Sequence, residues 1–98
     1  MDNYEKFESA VEKYNSTTVA LRTEVDCALK TGDGRKVEVL YSTIRGMFKT
    51  MLSTGQEIGL GNGSGSVRRK LDASISTVEE LIAYVEREAK ERKIPLSD

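Results

Sequence analysis

The sequence predicts an all-α fold, either a three-helix bundle or an interlocked helical dimer with coiled-coil-like packing. Two observations carry this prediction. Apolar residues recur at alternating steps of three and four in three separate stretches, and turn-forming glycine segments lie between those stretches. The 98 residues are enough for one domain with a modest core. We therefore expect a single helical domain over residues 1–98.

The first helix is predicted over about residues 3–30. Asp2, with Glu5 three residues later, forms a capping-box-like start, and the turn signal at 31–34 ends the helix. The β-branched run 17–19 lowers helix propensity locally, so packing has to compensate. One side carries a seam that must be buried against another helix. Its members, all but one apolar, are Tyr4, Phe7, Val11, Tyr14, Thr18, Leu21, Val25 and Ala28.

The second helix is predicted over about residues 35–53, with an apolar face wider than the first seam. A short strand over residues 36–41 is the alternative for its start, because residues 36–39 alternate in polarity directly after a turn signal. The helix is favoured since the three-four spacing resumes at once. If exposed, Gly46 costs this helix about 1 kcal/mol relative to alanine. The apolar face consists of Val37, Leu40, Tyr41, Ile44, Met47, Phe48, Met51 and Leu52.

Residues 55–65 include five glycines and are predicted to form a flexible loop. A third helix follows over about residues 66–92, and Pro95 marks its end. A kink near residues 74–77 is an alternative, because a second capping signature begins at Thr77. The apolar stripe of this helix consists of Val67, Leu71, Ile75, Val78, Leu81, Ile82, Val85 and Ala89.

The amino-acid composition indicates a globular protein. Charged residues make up 32% and hydrophobic residues 38% of the chain, which is within the globular range. The sequence contains no run of about 18 apolar residues, the length that a membrane span needs. The first residues have neither the basic start nor the apolar stretch of a secretory signal. We therefore expect a cytoplasmic protein without membrane association.

Residues for catalysis or metal binding are sparse in this sequence. Cys27 is the single cysteine and histidine is absent, which excludes an internal disulfide and the usual zinc ligand sets. The glycine-rich segment lacks the Lys-Ser/Thr end of a phosphate-binding P-loop. Carboxylates near the C-terminus alternate with basic residues in the pattern of solvated helix pairs. We expect no enzymatic activity, no metal and no cofactor.

Three apolar stripes on a short chain predict contacts with other copies or other proteins. Residues 1–34 carry four basic and seven acidic residues, whereas residues 35–54 carry four basic and one acidic. Such segments of opposite sign favour association. The predicted function is a non-enzymatic protein–protein interaction module, an adaptor, small chaperone or inhibitor of a larger protein, that forms a homo-oligomer. Candidate interface residues are Tyr4, Phe7, Val11, Tyr14, Leu21, Val25, Leu40, Tyr41, Ile44, Met47, Phe48 and Met51.

The alternative is a dimeric helical nucleic-acid binder. Double-stranded RNA is read largely by shape and backbone contacts, so a rigid helical face with a few Arg and Lys residues can bind it. The six residues 67–72, Val-Arg-Arg-Lys-Leu-Asp, resemble a helix start in insect nodavirus RNA-silencing suppressors, which are dimeric helical double-stranded-RNA binders. The resemblance implies that kind of suppressor function. Candidate phosphate-binding residues are Arg35, Lys36, Arg45, Lys49, Arg68, Arg69 and Lys70.

Overall fold

The computed structural model describes residues 3–59 and 65–96, which form three helices and confirm the all-α class. Helix α1 spans Asn3–Thr31, α2 spans Gly34–Gly59 and α3 spans Gly65–Glu91. Every pair of helices is in contact, and the bundle measures 47 × 19 × 16 Å. Helix α2 runs antiparallel to α1, because a short turn at residues 32–33 joins them and a hydrogen bond links residue 14 to residue 54. It also runs antiparallel to α3, because hydrogen bonds join residue 41 to residue 86 and residue 55 to residue 68.

The turn between α1 and α2 is built by two local capping motifs. Gly32 has a φ of 73°, and its N–H donates to the carbonyl of Leu29 while the N–H of Asp33 donates to that of Ala28, which is a Schellman motif. The Asp33 carboxylate then accepts from the N–H of Lys36 at 3.1 Å and caps the start of α2. The predicted turn signal is therefore a helix stop followed directly by a helix start.

Helix α2 begins where the sequence predicts, but it ends later. Residues 36–41 are helical, so the strand alternative is wrong. The helix also continues beyond residue 53, and residues 55–59 of the predicted loop belong to it. Residues 60–64 of that loop lie outside the described residues, and residue 65 already begins α3.

Contacts with α3 explain why glycine does not end α2 at residue 55. Gly55 is buried, and a Cβ placed on it would lie 3.4 Å from Cδ2 of Leu71. The Arg68 guanidinium donates to the Gly55 carbonyl at 2.8 Å. Glycine lowers helix stability by about 1 kcal/mol, but most helical stability in proteins comes from tertiary packing. Packing against α3 therefore extends α2 past the position where local propensity predicts its end.

Helix α3 is one continuous helix through residues 74–77, so the alternative of a break there is wrong. It ends in a second Schellman arrangement, in which Ile94 donates its N–H to the Ala89 carbonyl at 2.8 Å. Lys93 occupies the left-handed position with a φ of 58°, where glycine is the usual residue. Ile94 packs against the core after this turn and holds the chain end on the bundle.

The core contains side chains from all three helices and confirms the predicted stripes. Thr18, the polar member of the first seam, is buried and donates to the carbonyl of Tyr14 at 2.7 Å, which satisfies its hydroxyl within the helix. Tyr4 lies in the first turn of α1, but its side chain is outside the described residues. The buried core residues are Val11, Leu21, Val25, Ala28, Leu29, Val37, Leu40, Tyr41, Ile44, Met51, Val67, Leu71, Val78, Leu81 and Val85.

Gly46 lies in the middle of α2, is exposed, and has open space where a Cβ would be. We expect Gly46→Ala to raise the free energy of unfolding by up to about 1 kcal/mol, because alanine has the higher helix propensity. Gly32→Ala is the control, since its Cβ also meets open space but its φ is positive, and it should be destabilising. Urea unfolding measures both variants, and the same sign for both would contradict this explanation.

A candidate protein-interaction groove

An open groove of about 470 Å³ lies between α2 and α3. Its floor is apolar, with Phe48 and Leu52 from α2 and Ile82 from α3, and the exposed Ala83 also lines it. Phe48 and Ile82 are half-buried against the core, whereas Leu52 is 44% exposed. The floor is therefore the edge of the two apolar stripes, where they are too wide to be covered by the chain itself.

The two walls of the groove carry opposite charges. Arg45 and Lys49, four residues apart, form the α2 wall, and Glu79 and Glu86, seven residues apart, form the α3 wall. These spacings correspond to about one and two helical turns, so each pair lies on one side of its helix. The groove thus presents an apolar centre between a basic edge and an acidic edge.

A hydrogen-bond network fixes one end of the groove. The buried Tyr41 hydroxyl donates to Oε2 of Glu86, and Arg45 donates to the same hydroxyl at 3.4 Å. Burial and then the Glu86 hydrogen bond raise the pKa of Tyr41 above its usual value, although Arg45 opposes this shift. The phenol therefore remains a hydrogen-bond donor at neutral pH and holds the Glu86 carboxylate at the rim.

The other end of the groove has unpaired charges. Lys49 and Glu79 are both exposed, and neither forms an ion pair with another described side chain. Four ion pairs between described side chains lie elsewhere on the bundle, for example Lys70 with Glu8 at 3.4 Å. Lys49 and Glu79 are consequently available to a binding partner without breaking a contact within the chain.

Polar contacts within the chain bridge the face between α1 and α3. The Tyr84 hydroxyl donates to Asp26 at 2.7 Å, and the Arg22 guanidinium lies 4.3 Å from the Tyr84 ring centroid. The hydrogen bond to Asp26, followed by burial, raises the pKa of Tyr84, and Arg22 opposes this. Ser74 also donates to Asn15 across this face. These contacts lie beside a smaller surface pocket of about 280 Å³, which is lined by residues of α1 and α3.

Of the predicted basic residues, the structure brings Arg45 and Lys49 together at the groove, but it does not bring the whole set together. Lys36 and Arg45 are nine residues apart, or about two and a half turns, which places them on opposite sides of α2. Arg35 and Lys36 lie at one end of the bundle, and Arg68 to Lys70 begin α3 at the other end. Arg68 pairs with Asp72 and Lys70 with Glu8, so part of this charge is neutralised within the chain.

The predicted interface residues divide into three groups. Phe7, Tyr14, Met47 and Phe48 are half-buried at the surface, and the Tyr4 side chain is outside the described residues. The others are buried in the core of the chain itself: Val11, Leu21, Val25, Leu40, Tyr41, Ile44 and Met51. Among the described groove residues, sequence reasoning did not assign Leu52, Glu79, Ile82, Ala83 or Glu86 to an interface. The sequence feature that pointed to this surface was the width of the apolar stripe of α2, which ends at Leu52.

Comparison with protein-family models, with curated proteins and with solved structures finds no match. In the described part of the chain, no helix is long and apolar enough to cross a membrane. The same part contains no group of three or more Cys, Asp or Glu side chains arranged to hold a metal ion, and Cys27 is an exposed thiol. Fold and surface define a helical bundle with an amphipathic groove between α2 and α3.

Proposed function

We propose that the protein is a non-enzymatic protein–protein interaction module whose binding surface is the α2–α3 groove. The observation that carries this proposal is the combination of a half-exposed apolar floor with two walls of opposite charge. Helical partners commonly bind in such grooves through an apolar stripe. An adaptor, small chaperone or inhibitor would use the surface in this way.

The apolar floor would supply affinity and the charged walls specificity. Covering Phe48, Leu52 and Ile82 removes apolar surface from water, at about 25 cal/mol per Å². Charged walls steer encounters, fix the orientation of the partner and disfavour partners of the wrong pattern. The expected partner therefore has an apolar stripe with acidic residues along one edge, facing the α2 wall, and basic residues along the other, facing the α3 wall.

The nucleic-acid alternative has less support. A phosphate backbone laid along the groove would face the carboxylates of Glu79 and Glu86 as well as the basic wall. The net charge is −1, and two basic clusters, residues 35–36 and residues 68–70, lie at opposite ends of a bundle 47 Å long. Only a duplex spanning the whole bundle would reach both clusters, and it would pass the acidic residues between them.

Site-specific photo-crosslinking tests the proposed function. A benzophenone amino acid replaces Leu52 at the groove or, as the control, Val39, which is 57% exposed and about 140° away around α2. We expect nuclease-resistant protein adducts at position 52 and few at position 39, both in concentrated purified protein and after addition to native extract. Equal labelling at both positions would overturn the proposal, because random collisions would label the more exposed position at least as well.

A third photo-crosslinking variant addresses the alternative function. The same amino acid replaces Arg69, which is exposed and belongs to the basic cluster at the start of α3. RNA adducts at position 69 without protein adducts at position 52 would overturn the interaction module and favour the nucleic-acid binder. Protein adducts confined to position 52 would support the module.

A further inference from the structure

We propose that the partner of the α2–α3 groove is a second copy of this chain, placed by a two-fold axis that runs parallel to the helices. This inference rests on the proposed function and names its partner. A matching surface must have an apolar stripe with one acidic and one basic edge. The α2–α3 face of the chain has this pattern, with Phe48, Leu52 and Ile82 between the two charged walls.

The charge pattern selects one of the two ways in which two copies can meet face to face. A two-fold axis parallel to the helices places α2 of each copy opposite α3 of the other, so basic walls meet acidic walls. A two-fold axis across the helices places α2 opposite α2 and α3 opposite α3, so like charges meet. Like charges facing each other across an interface cost several kcal/mol, and isologous contacts form each pair twice. The parallel axis is therefore favoured.

The register of the helices places the opposing charges at the same height. Tyr41 of α2 bonds Glu86 of α3, and Gly55 faces Leu71, so the two helices run past each other almost residue for residue. Lys49 is eight residues beyond Tyr41 and therefore lies beside residues 77–78 of α3. Glu79 is one or two residues from there, which is a difference of about 3 Å or less along the helix axis. Rotation about a two-fold axis parallel to the helices leaves the position of each residue along the helix axis unchanged. Lys49 of each copy thus lies across from Glu79 of the other.

Lys49 and Glu79 can pair with a second copy without losing a contact within the chain. Lys49 and Glu79 line the same groove but form no ion pair with each other or with other described side chains. Docking of a second copy pairs Lys49 of each copy with Glu79 of the other, so the contact forms twice in the dimer. The same docking covers Leu52, one of the most exposed large apolar side chains among the described residues.

Charge reversal tests this arrangement with the full chain. We expect Lys49→Glu and Glu79→Lys each to weaken self-association roughly tenfold in sedimentation equilibrium, because each replaces two attractive contacts by two repulsive ones. An equimolar mixture of the two variants should recover the affinity of the unaltered protein, since every contact is again attractive. Lys36→Glu, on another side of α2, is the matched control and should leave association unchanged. Circular dichroism checks that every variant is folded.

Three results would overturn the proposed dimer. The first is a strictly monomeric mass at high micromolar concentration. The second is a dimer that neither reversal weakens, which would place self-association on another surface. The third is a Lys49→Glu variant that binds the unaltered chain more tightly than the unaltered chain binds itself, which is the signature of α2 facing α2. The proposed function fails separately, when crosslinks at positions 52 and 39 are equal.

Discussion

Leu21→Asp is expected to remove most of the free energy of unfolding of the protein. Leu21 is 6% exposed and belongs to the core where α1 packs against α2 and α3. Burial of an unpaired carboxylate costs several kcal/mol, and loss of the leucine side chain adds a cavity term. Domains of this size have a total stability of roughly 5–15 kcal/mol, so this single change removes most of it. Far-ultraviolet circular dichroism and urea unfolding measure the effect.

Val19→Asp is the matched control for Leu21→Asp. It introduces the same charge two positions earlier in the same helix, at a side chain that is 68% exposed. We expect a change in unfolding free energy within about 0.5 kcal/mol, as is usual for surface substitutions. Valine and aspartate have similar helix propensities, so the comparison isolates burial. Similar unfolding midpoints for the two variants would contradict the assignment of the α1 seam.

The periodicity of apolar residues was sufficient to predict the fold class, because the core depends mainly on which helix face is apolar. The α1 seam shows this, since Val11, Leu21 and Val25 recur at heptad spacing and are all buried. The turn at residues 31–34 could also be predicted from the sequence, because its glycine and aspartate have specific backbone roles at the two helix caps. Local chemistry and global packing agree at these positions.

The end of α2 could not be predicted from the sequence. Gly55 is a helix breaker by propensity, and four more glycines follow within ten residues. Its helical state depends on Leu71 and Arg68, which are 16 and 13 residues away in the sequence and contact it only after α3 has docked. Tertiary contacts of this kind override local propensity and leave no periodic signal around the glycine itself.

The groove was only partly predictable for a similar reason. The sequence showed basic residues on α2 and acidic residues on α3, but it could not show that they border the same surface. That proximity follows from the antiparallel register, which the contact of Tyr41 with Glu86 reveals. Leu52 was assigned to the apolar face of α2, yet the side of the face that remains exposed depends on the position of α3.

Ile44→Ala should lower the free energy of unfolding by about 2–5 kcal/mol, the usual cost of truncating a fully buried isoleucine. Ile44 has no exposed surface and belongs to the core of the single chain, although its place on the apolar stripe was equally consistent with an interface between chains. The two roles give different results. Truncation of a core residue destabilises the folded chain by the same amount at every protein concentration, whereas the effect of truncating an interface residue depends on concentration.

Val39→Ala is the control for this second prediction, because it truncates another β-branched residue of α2 at a position that is 57% exposed. We expect it to be neutral or slightly stabilising, since alanine has the higher helix propensity. Both variants are compared by thermal unfolding over a hundredfold range of concentration, in the Lys49→Glu background that weakens the proposed dimer. A destabilisation by Ile44→Ala that disappears in this background would show that Ile44 acts between chains and would contradict the core assignment.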